Sequence, residues 1–350
     1  MTNIESARAY GEYIEQMNDL QRTIEDAIRT TGFSGIVHAN LAPDIRFSAA
    51  YGMSDRAHQV PVTLDTIFSV ASVTKSLTAL VTMKLVEAGS LSLDTTARSI
   101  LGPDLPMVDD RVNIRHLLCH RSGIGDYINE SDVASVDDYV MNIPVHRLDS
   151  SEAYLEVLDG FEQRFSPDDH FEYCNSGYAV LAILAERATT ADFANLLAQL
   201  VTVPADMAST GLVRMDELPA SIARGYLHST GLRSNTLHLP VLGSGDGGAF
   251  SNLRDIQRLW TSLFEGRVVS EETRAAMIEP YGHSTQMRCA YGLGFWLPDS
   301  SDAVMMEGAD AGVSIRSVHW PRDGSSFTVI SNTSVGAWPL VRIIEQHLAT

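Results

Sequence analysis

Residues 66–94 read TIFSVASVTKSLTALVTMKLVEAGSLSLD. The run from 71 to 88 has the spacing of a long helix, through Leu77, Leu80, Met83, Leu85 and Val86, and Gly89 marks its end. Ser72-Val73-Thr74-Lys75 stands at the start of that helix. Positions i and i+3 share a helix face one turn apart, so the Lys75 amine comes within reach of the Ser72 hydroxyl. The helix N-terminus adds a positive dipole that favours a developing alkoxide. A lysine in an enclosed site has a depressed pKa and serves as a base. Ser-x-x-Lys by itself also describes an N-capping serine followed by a solvated lysine, so its surroundings decide the reading.

The chain has 350 residues and 25 basic ones, yet only two of these are lysines, Lys75 and Lys84. A buried lysine can lose its proton and arginine effectively cannot, so a lysine kept in an arginine-rich chain points to proton chemistry. The formal charge of −19 disfavours nucleic acid and anionic membrane as partners, because both repel an acidic surface. Three cysteines, Cys119, Cys174 and Cys289, are too few and too odd in number for a disulfide framework. The first residues, MTNIESARAYGEYIEQ, lack a basic start followed by an apolar stretch, and no run of 18 apolar residues occurs. A cytoplasmic protein is expected.

Apolar residues at helical spacing, from Ile4 through Ile28, predict an amphipathic helix over 3–30. Segments 35–40 and 45–51 predict a hairpin joined by a Pro-Asp turn. Helices are expected over 176–188 and 191–200. Short segments rich in Val, Ile, Phe and Ser at 290–297, 302–307, 312–320 and 325–332 predict antiparallel strands, and 337–348 a closing helix. An α/β lobe built from both ends, 1–65 and 240–350, with a mostly helical lobe inserted over 66–239, satisfies this layout.

The 66–94 stretch resembles the serine region of class C β-lactamases, D-Ala-D-Ala carboxypeptidases and related esterases. The likeness includes the aromatic Phe68 before the serine, the Thr74-Lys75 pair and the Gly-x-Leu-x-Leu-Asp exit at 89–94. It extends to NIRHLLCHRSGIGDY at 113–127, similar to an LL-x-H-x-SG loop. It also covers GDGGAFSNLRDIQRL at 245–259, YGLGFWL at 291–297 and the last two strands. The resemblance implies an α+β, β-lactamase/transpeptidase-like fold: an antiparallel sheet flanked by helices, an inserted helical lobe and the active site between them.

A second element of that family, Tyr-x-Asn, is matched by Tyr173-Cys174-Asn175 and by Tyr127-Ile128-Asn129. The first is preferred, because FEYCNSGYAVLAILAE at 171–186 resembles the family's run into a helix. There the tyrosine shares the nucleophile's proton and protonates the leaving group, while the asparagine holds the lysine and the substrate's acyl side. The third element, Lys or His followed two positions later by Gly, has no match anywhere in the chain. The segment MMEGADAGVSIRSVHWPRDGSSFTVISN at 305–332 nevertheless resembles its surroundings. Alignment on Gly312 puts Met306 at the cationic position, then Glu307 and Gly308. The resemblance implies oxyanion donors at the N–H groups of Ser72 and Ala309. Glu307 is expected beside the pocket, repelling the carboxylate that β-lactams and D-Ala-D-Ala peptides carry.

His116, Cys119 and His120 have helix-like ligand spacing, but a metal needs further partners, and His120 fits a structural role in the loop. The glycines of 243–248 lack the GK[ST] ending of a phosphate loop and allow a tight turn. No G-x-S-x-G elbow occurs. Met305-Met306 reads as packing or pocket lining. The expectation is a serine hydrolase of small esters or amides through a Ser72 acyl-enzyme, without metal or organic cofactor. Alternatives are a D-amino-acid peptidase or amidase, a β-lactamase, an acyltransferase, and a non-catalytic ligand binder. The oligomeric state is not legible.

Overall fold

Strands β1 (Gly35–Ala42) and β2 (Ile45–Tyr51) form the antiparallel hairpin that the sequence predicts, with Gly35 opposite Tyr51 and Asn40 opposite Arg46. The computed structural model describes residues 19–42, 45–128 and 135–348, so the Pro-Asp turn and the start of the predicted 3–30 helix lie outside the described residues. Six further strands follow late in the chain. They are β3 (Gly282–Ser284), β4 (Cys289–Tyr291), β5 (Trp296–Pro298), β6 (Val304–Asp310), β7 (Val313–His319) and β8 (Ser326–Ser331). The eight make one sheet in the order β2-β1-β8-β7-β6-β5-β4-β3, every neighbouring pair antiparallel. The two ends of the chain meet where β1 pairs with β8, Gly35 opposite Ser331 and Asn40 opposite Ser326.

The segment 290–297 is not the single strand expected of it. It reverses between β4 and β5, where Gly294 takes a φ of +96° and lies against Ala79. A side chain there would collide with that alanine, so the turn needs glycine.

Successive residues of a strand point to opposite faces. Val37, Met305, Val318, Phe327 and Val329 share one core with residues of the helix over 19–31 (α1) and of α5 (Ala337–Leu348). Their neighbours Ile36, Met306, Ile315 and Ile330 face the other way, into the larger core. That core is built on helices α2 (Thr74–Glu87) and α3 (Asn175–Thr189), with α4 (Leu253–Phe264) alongside. α2 is buried along most of its length, threonines included. Their hydroxyls are satisfied inside: Thr78 donates to the Gly245 carbonyl at 2.7 Å and Thr82 to the Thr78 carbonyl at 2.9 Å. A helix buried all round cannot be an edge element, so its N-terminus is held from several sides. The predicted 191–200 helix is broken into a short α-turn, Phe193–Leu197, and a wider turn over Ala198–Thr202.

All three cysteines are buried and unpaired. Among the described residues no helix is long and apolar enough to cross a membrane.

Candidate active site

A 3-10 turn, Ala71–Val73, leads into α2 and carries Ser72. The turn is pinned on three sides. Val70 donates to the Ala249 carbonyl at 2.9 Å, and the Thr74 hydroxyl donates to the Ala71 carbonyl at 2.6 Å while accepting from the Ala249 N–H at 3.0 Å. Ala71 sits at φ +45°, a left-handed conformation that a non-glycine residue adopts only when its surroundings enforce it. The third side is β6. A Cβ on Gly308 would lie 2.5 Å from the Val70 carbonyl oxygen and 2.9 Å from the Ser72 nitrogen, so the strand reaches the turn only as glycine.

Lys75 is 2 % exposed. Its Nζ donates to Ser72 Oγ at 3.0 Å, to Asn175 Oδ1 at 2.8 Å and to the Asp246 carbonyl oxygen at 2.6 Å. The amine therefore has two fixed anchors, and its third direction lies on the serine.

Asp126 sets the asparagine. One carboxylate oxygen accepts from the Asn175 N–H at 2.8 Å and from Asn175 Nδ2 at 3.3 Å. The other accepts from the Ser176 N–H at 2.9 Å and the Ser176 hydroxyl at 3.1 Å. An acid at the start of α3 satisfies its free N–H groups and meets the positive end of its dipole. Because Nδ2 is spent on Asp126, Oδ1 is the atom presented to Lys75. Asp246 belongs to the glycine-rich loop that the pairing of Phe68–Ser69 with Ala249–Ser251 brings to the Ser72 turn. Burial pushes its carboxyl pKa up, with the Lys75 charge and the Tyr127 hydroxyl opposing, and Tyr127 Oη donates to Asp246 Oδ2 at 2.6 Å.

Tyr173 lies beside the lysine, with Lys75 Nζ 5.0 Å from its ring centroid. Its ring stacks on Trp296 at 5.8 Å and meets the His120 ring at 4.4 Å. His120 also brackets the backbone around it: the Glu172 N–H donates to the His120 carbonyl at 2.9 Å, and the Cys174 N–H donates to His120 Nδ1 at 3.1 Å. Burial, reinforced by the Lys75 charge, holds the His120 pKa well below its ordinary value, so the ring is neutral with its proton on Nε2. The loop histidine thus acts as a splint for the segment that carries Tyr173. Its neighbours do not form a metal site. His116 Nδ1 faces the Asn113 N–H in a capping box, and among the described residues no three His, Cys, Asp or Glu converge to hold a metal. The alternative tyrosine, Tyr127, also lines the cleft; Asn175 holds Lys75, and Asn129, the companion of Tyr127, lies outside the described residues.

The third element departs from the expectation for Glu307. Met306 is 1 % exposed in the large core, so an apolar thioether occupies the place aligned with the cation. Glu307, one step along, points to the opposite face, where Arg316 pairs with it and also with Glu345 on α5 at 2.6 Å. Its charge is neutralised there and it does not line the cleft. Ser72, Asn175 and Ala309 do line it, and the acid at that end of β6 is Asp310. Sequence reading missed Asp126, Asp246 and Asp310. All three stood inside quoted motifs, but the partners of Asp126 and Asp246 are far away in the chain and no spacing rule ties them together.

A family model described as Beta-lactamase matches residues 20–342. The chain belongs to the β-lactamase family. Penicillin-binding protein 4* of Bacillus subtilis is 26% identical over 300 residues, 81% of this chain and 64% of its own length. Esterase EstB of Burkholderia gladioli is 32% identical over 49% of this chain and 44% of its own. The chain thus spans less than two thirds of each. The crystal structure of a penicillin binding protein from Bacillus halodurans superposes with a TM-score of 0.85, at 29% identity, over 92% of this chain and 99% of that one. The fold is the β-lactamase/transpeptidase-like one. Relatives in this family carry the names of penicillin-binding proteins, esterases and D-aminopeptidases.

Proposed function

We propose that this β-lactamase family member is a serine hydrolase that cleaves a small ester or amide through an acyl-enzyme on Ser72. The observation that carries the reading is the Lys75 amine, anchored on Asn175 and the Asp246 carbonyl with its third direction on Ser72 Oγ at 3.0 Å. Neutral Lys75 takes the hydroxyl proton as Oγ bonds to the substrate carbonyl carbon. The carbonyl oxygen becomes an oxyanion facing the N–H groups of Ser72 and Ala309. Collapse of that adduct breaks the bond to the leaving group. The leaving atom receives its proton through the Tyr173 hydroxyl, which Lys75 replenishes. Water then attacks the acyl-enzyme by the reverse proton route and restores Ser72. Transfer to another acceptor differs only in what replaces that water.

The substrate carries no carboxylate at the place where β-lactams do. Met306 offers such a group no charge and no hydrogen bond, and a buried thioether is a poor site for an anion. Steady-state hydrolysis of p-nitrophenyl butyrate, beside benzylpenicillin, tests the reading. The ester is expected to exceed the penicillin in kcat/KM, and Ser72→Ala to lower ester turnover by several orders of magnitude. Equal turnover by Ser72→Ala refutes the nucleophile, and a preference for benzylpenicillin refutes the substrate class.

A further inference from the structure

Lys75 is bonded to the main-chain oxygen of Asp246, and the carboxylate of that residue has no part in the proton route described above. The main chain around Asp246 is fixed on α2 from both sides. Thr78 donates to the Gly245 carbonyl at 2.7 Å, and the Ala249 N–H donates to the Thr74 hydroxyl at 3.0 Å. Between them the Ser244 N–H donates to the Gly247 carbonyl at 3.0 Å and closes the turn. A Cβ on Gly245 would lie 2.2 Å from the Tyr178 carbonyl oxygen, so the loop also sits directly on α3.

Asp246 is 5 % exposed and lines the cleft together with Ser72. Its Oδ2 accepts from Tyr127 Oη at 2.6 Å. Tyr127 is itself fixed: its N–H donates to Ser176 Oγ at 3.0 Å, and its carbonyl accepts from the Tyr139 hydroxyl at 2.6 Å. With the main chain and Oδ2 both held, the direction of Oδ1 is set. Oδ1 accepts from no group among the described residues, and it is not closed off from the cleft. An acceptor on a buried residue is costly to leave unbonded, so this oxygen calls for a donor from whatever enters the cleft. The residue is also near the chemistry. Lys75 Nζ lies 2.6 Å from the Asp246 carbonyl oxygen and 3.0 Å from Ser72 Oγ, so one amine separates Asp246 from the serine.

We propose that Asp246 Oδ1 holds the water that releases the acyl group from Ser72, and so commits the acyl-enzyme to hydrolysis rather than transfer. This rests on the Ser72 acyl-enzyme reading and names the group that selects its acceptor. A water has two hydrogens. One is donated to Oδ1 and stays on the water oxygen, which turns a lone pair to the acyl carbon as the new C–O bond forms. The other leaves as a proton by way of Tyr173 and Lys75 and reaches Ser72 Oγ as the C–Oγ bond breaks. The products are the free acid and the restored serine. An alcohol has one hydroxyl hydrogen, which the proton route takes, and it brings a carbon substituent to the place of the second. Oδ1 then faces carbon and stays unbonded, so water is favoured.

The test is turnover of p-nitrophenyl butyrate with and without methanol, with butyrate and methyl butyrate measured separately. In Asp246→Asn the Tyr127 hydroxyl keeps an oxygen to donate to, and the atom facing the cleft becomes an N–H donor. Hydrolytic kcat and KM are expected to fall together by about tenfold or more, as loss of a positioning contact costs. A butyryl adduct on the Ser72 peptide is expected to accumulate. The ratio of methyl butyrate to butyrate is expected to rise about threefold or more, because the amide donates to an alcohol oxygen as well as to water. Tyr127→Phe leaves the carboxylate in place but free to turn, and is expected to move kcat and the ratio the same way by a smaller factor. It carries the test if Asp246→Asn does not fold. A kcat that does not fall, or a product ratio unchanged in the folded variant, overturns the proposal; a fall with an unchanged ratio marks a disturbed Lys75 instead. An adduct on Ser72 with an unmoved ratio removes this proposal alone, whereas turnover that persists in Ser72→Ala removes the hydrolase reading and this proposal with it.

Discussion

In the proposed mechanism, Lys75 and its two anchors set what Ser72 can do. Arginine would retain the charge but could not take the serine proton, so Lys75→Arg is expected to lower kcat by about 10²-fold or more on any ester the enzyme cleaves. A variant within a few-fold of wild type would show that charge alone suffices. Asp126→Ala removes the acceptor that orients the Asn175 amide and caps α3. Loss of such a cap costs about 1 kcal/mol of stability. Release of the Asn175 amide from the lysine adds a loss in kcat of up to about 10²-fold, as misplaced catalytic groups incur. A melt and a kcat measurement separate the two effects; an unchanged kcat would remove Asp126 from the positioning role. The serine and lysine were legible in the sequence because their relation is local, one helical turn. Asn175 was legible through its tripeptide. Asp126 and Asp246 were not, because each meets its partner across a long stretch of chain. Glu307 was misread for a different reason: neighbouring strand residues face opposite ways, and no residue pattern said which face of β6 holds the site.

Elements carry the site as rigid supports. The strands and helices read from alternation and periodicity recur where they were expected, because β1, β2, β6, β7 and β8 each have one face in each core and α2, α3 and α5 are long and well bounded. The break of 290–297 into β4 and β5 was hidden because its apolar residues run through the reversal, and Gly294 reads as an ordinary strand glycine until α2 is seen beneath it. The contact of β6 with the turn that carries Ser72 is tested by Gly308→Ala. The added methyl meets the Val70 carbonyl and the Ser72 nitrogen, both backbone, and overpacking of this kind costs about 1–3 kcal/mol. The melting temperature is expected to fall and ester turnover to fall with it, because the methyl displaces the turn that carries Ser72. Unchanged activity in that variant would mean that the strand does not set the geometry of the turn.

At the scale of the whole molecule, the sheet stands between two cores, and a buried histidine on it makes the stability depend on pH. His38 on β1 is 3 % exposed and bonded to Ser48 and Gln257. Burial, with repulsion from Arg46, lowers its pKa from 6.5 to about 4. Between those values the unfolded chain holds the proton and the folded chain does not, so stability falls as pH drops from 6.5 towards 4, by about 3 kcal/mol for this group. Wild type is expected to lose melting temperature from pH 7 to pH 4.5, and His38→Gln to lose less; equal losses would place the acid sensitivity elsewhere. Composition disfavours nucleic acid and anionic membrane through the charge of −19 alone, and substrate identity was not legible because it depends on which side chains line a cleft assembled from distant loops. The central claim remains a covalent one: the acyl group passes through Ser72. Rapid acid quench of the enzyme turning over p-nitrophenyl butyrate, followed by proteolysis and mass spectrometry, tests it most directly. The account predicts a butyryl adduct on the peptide containing Ser72 in wild type and none in Ser72→Ala. An adduct on another residue, or turnover that persists in Ser72→Ala, would contradict it.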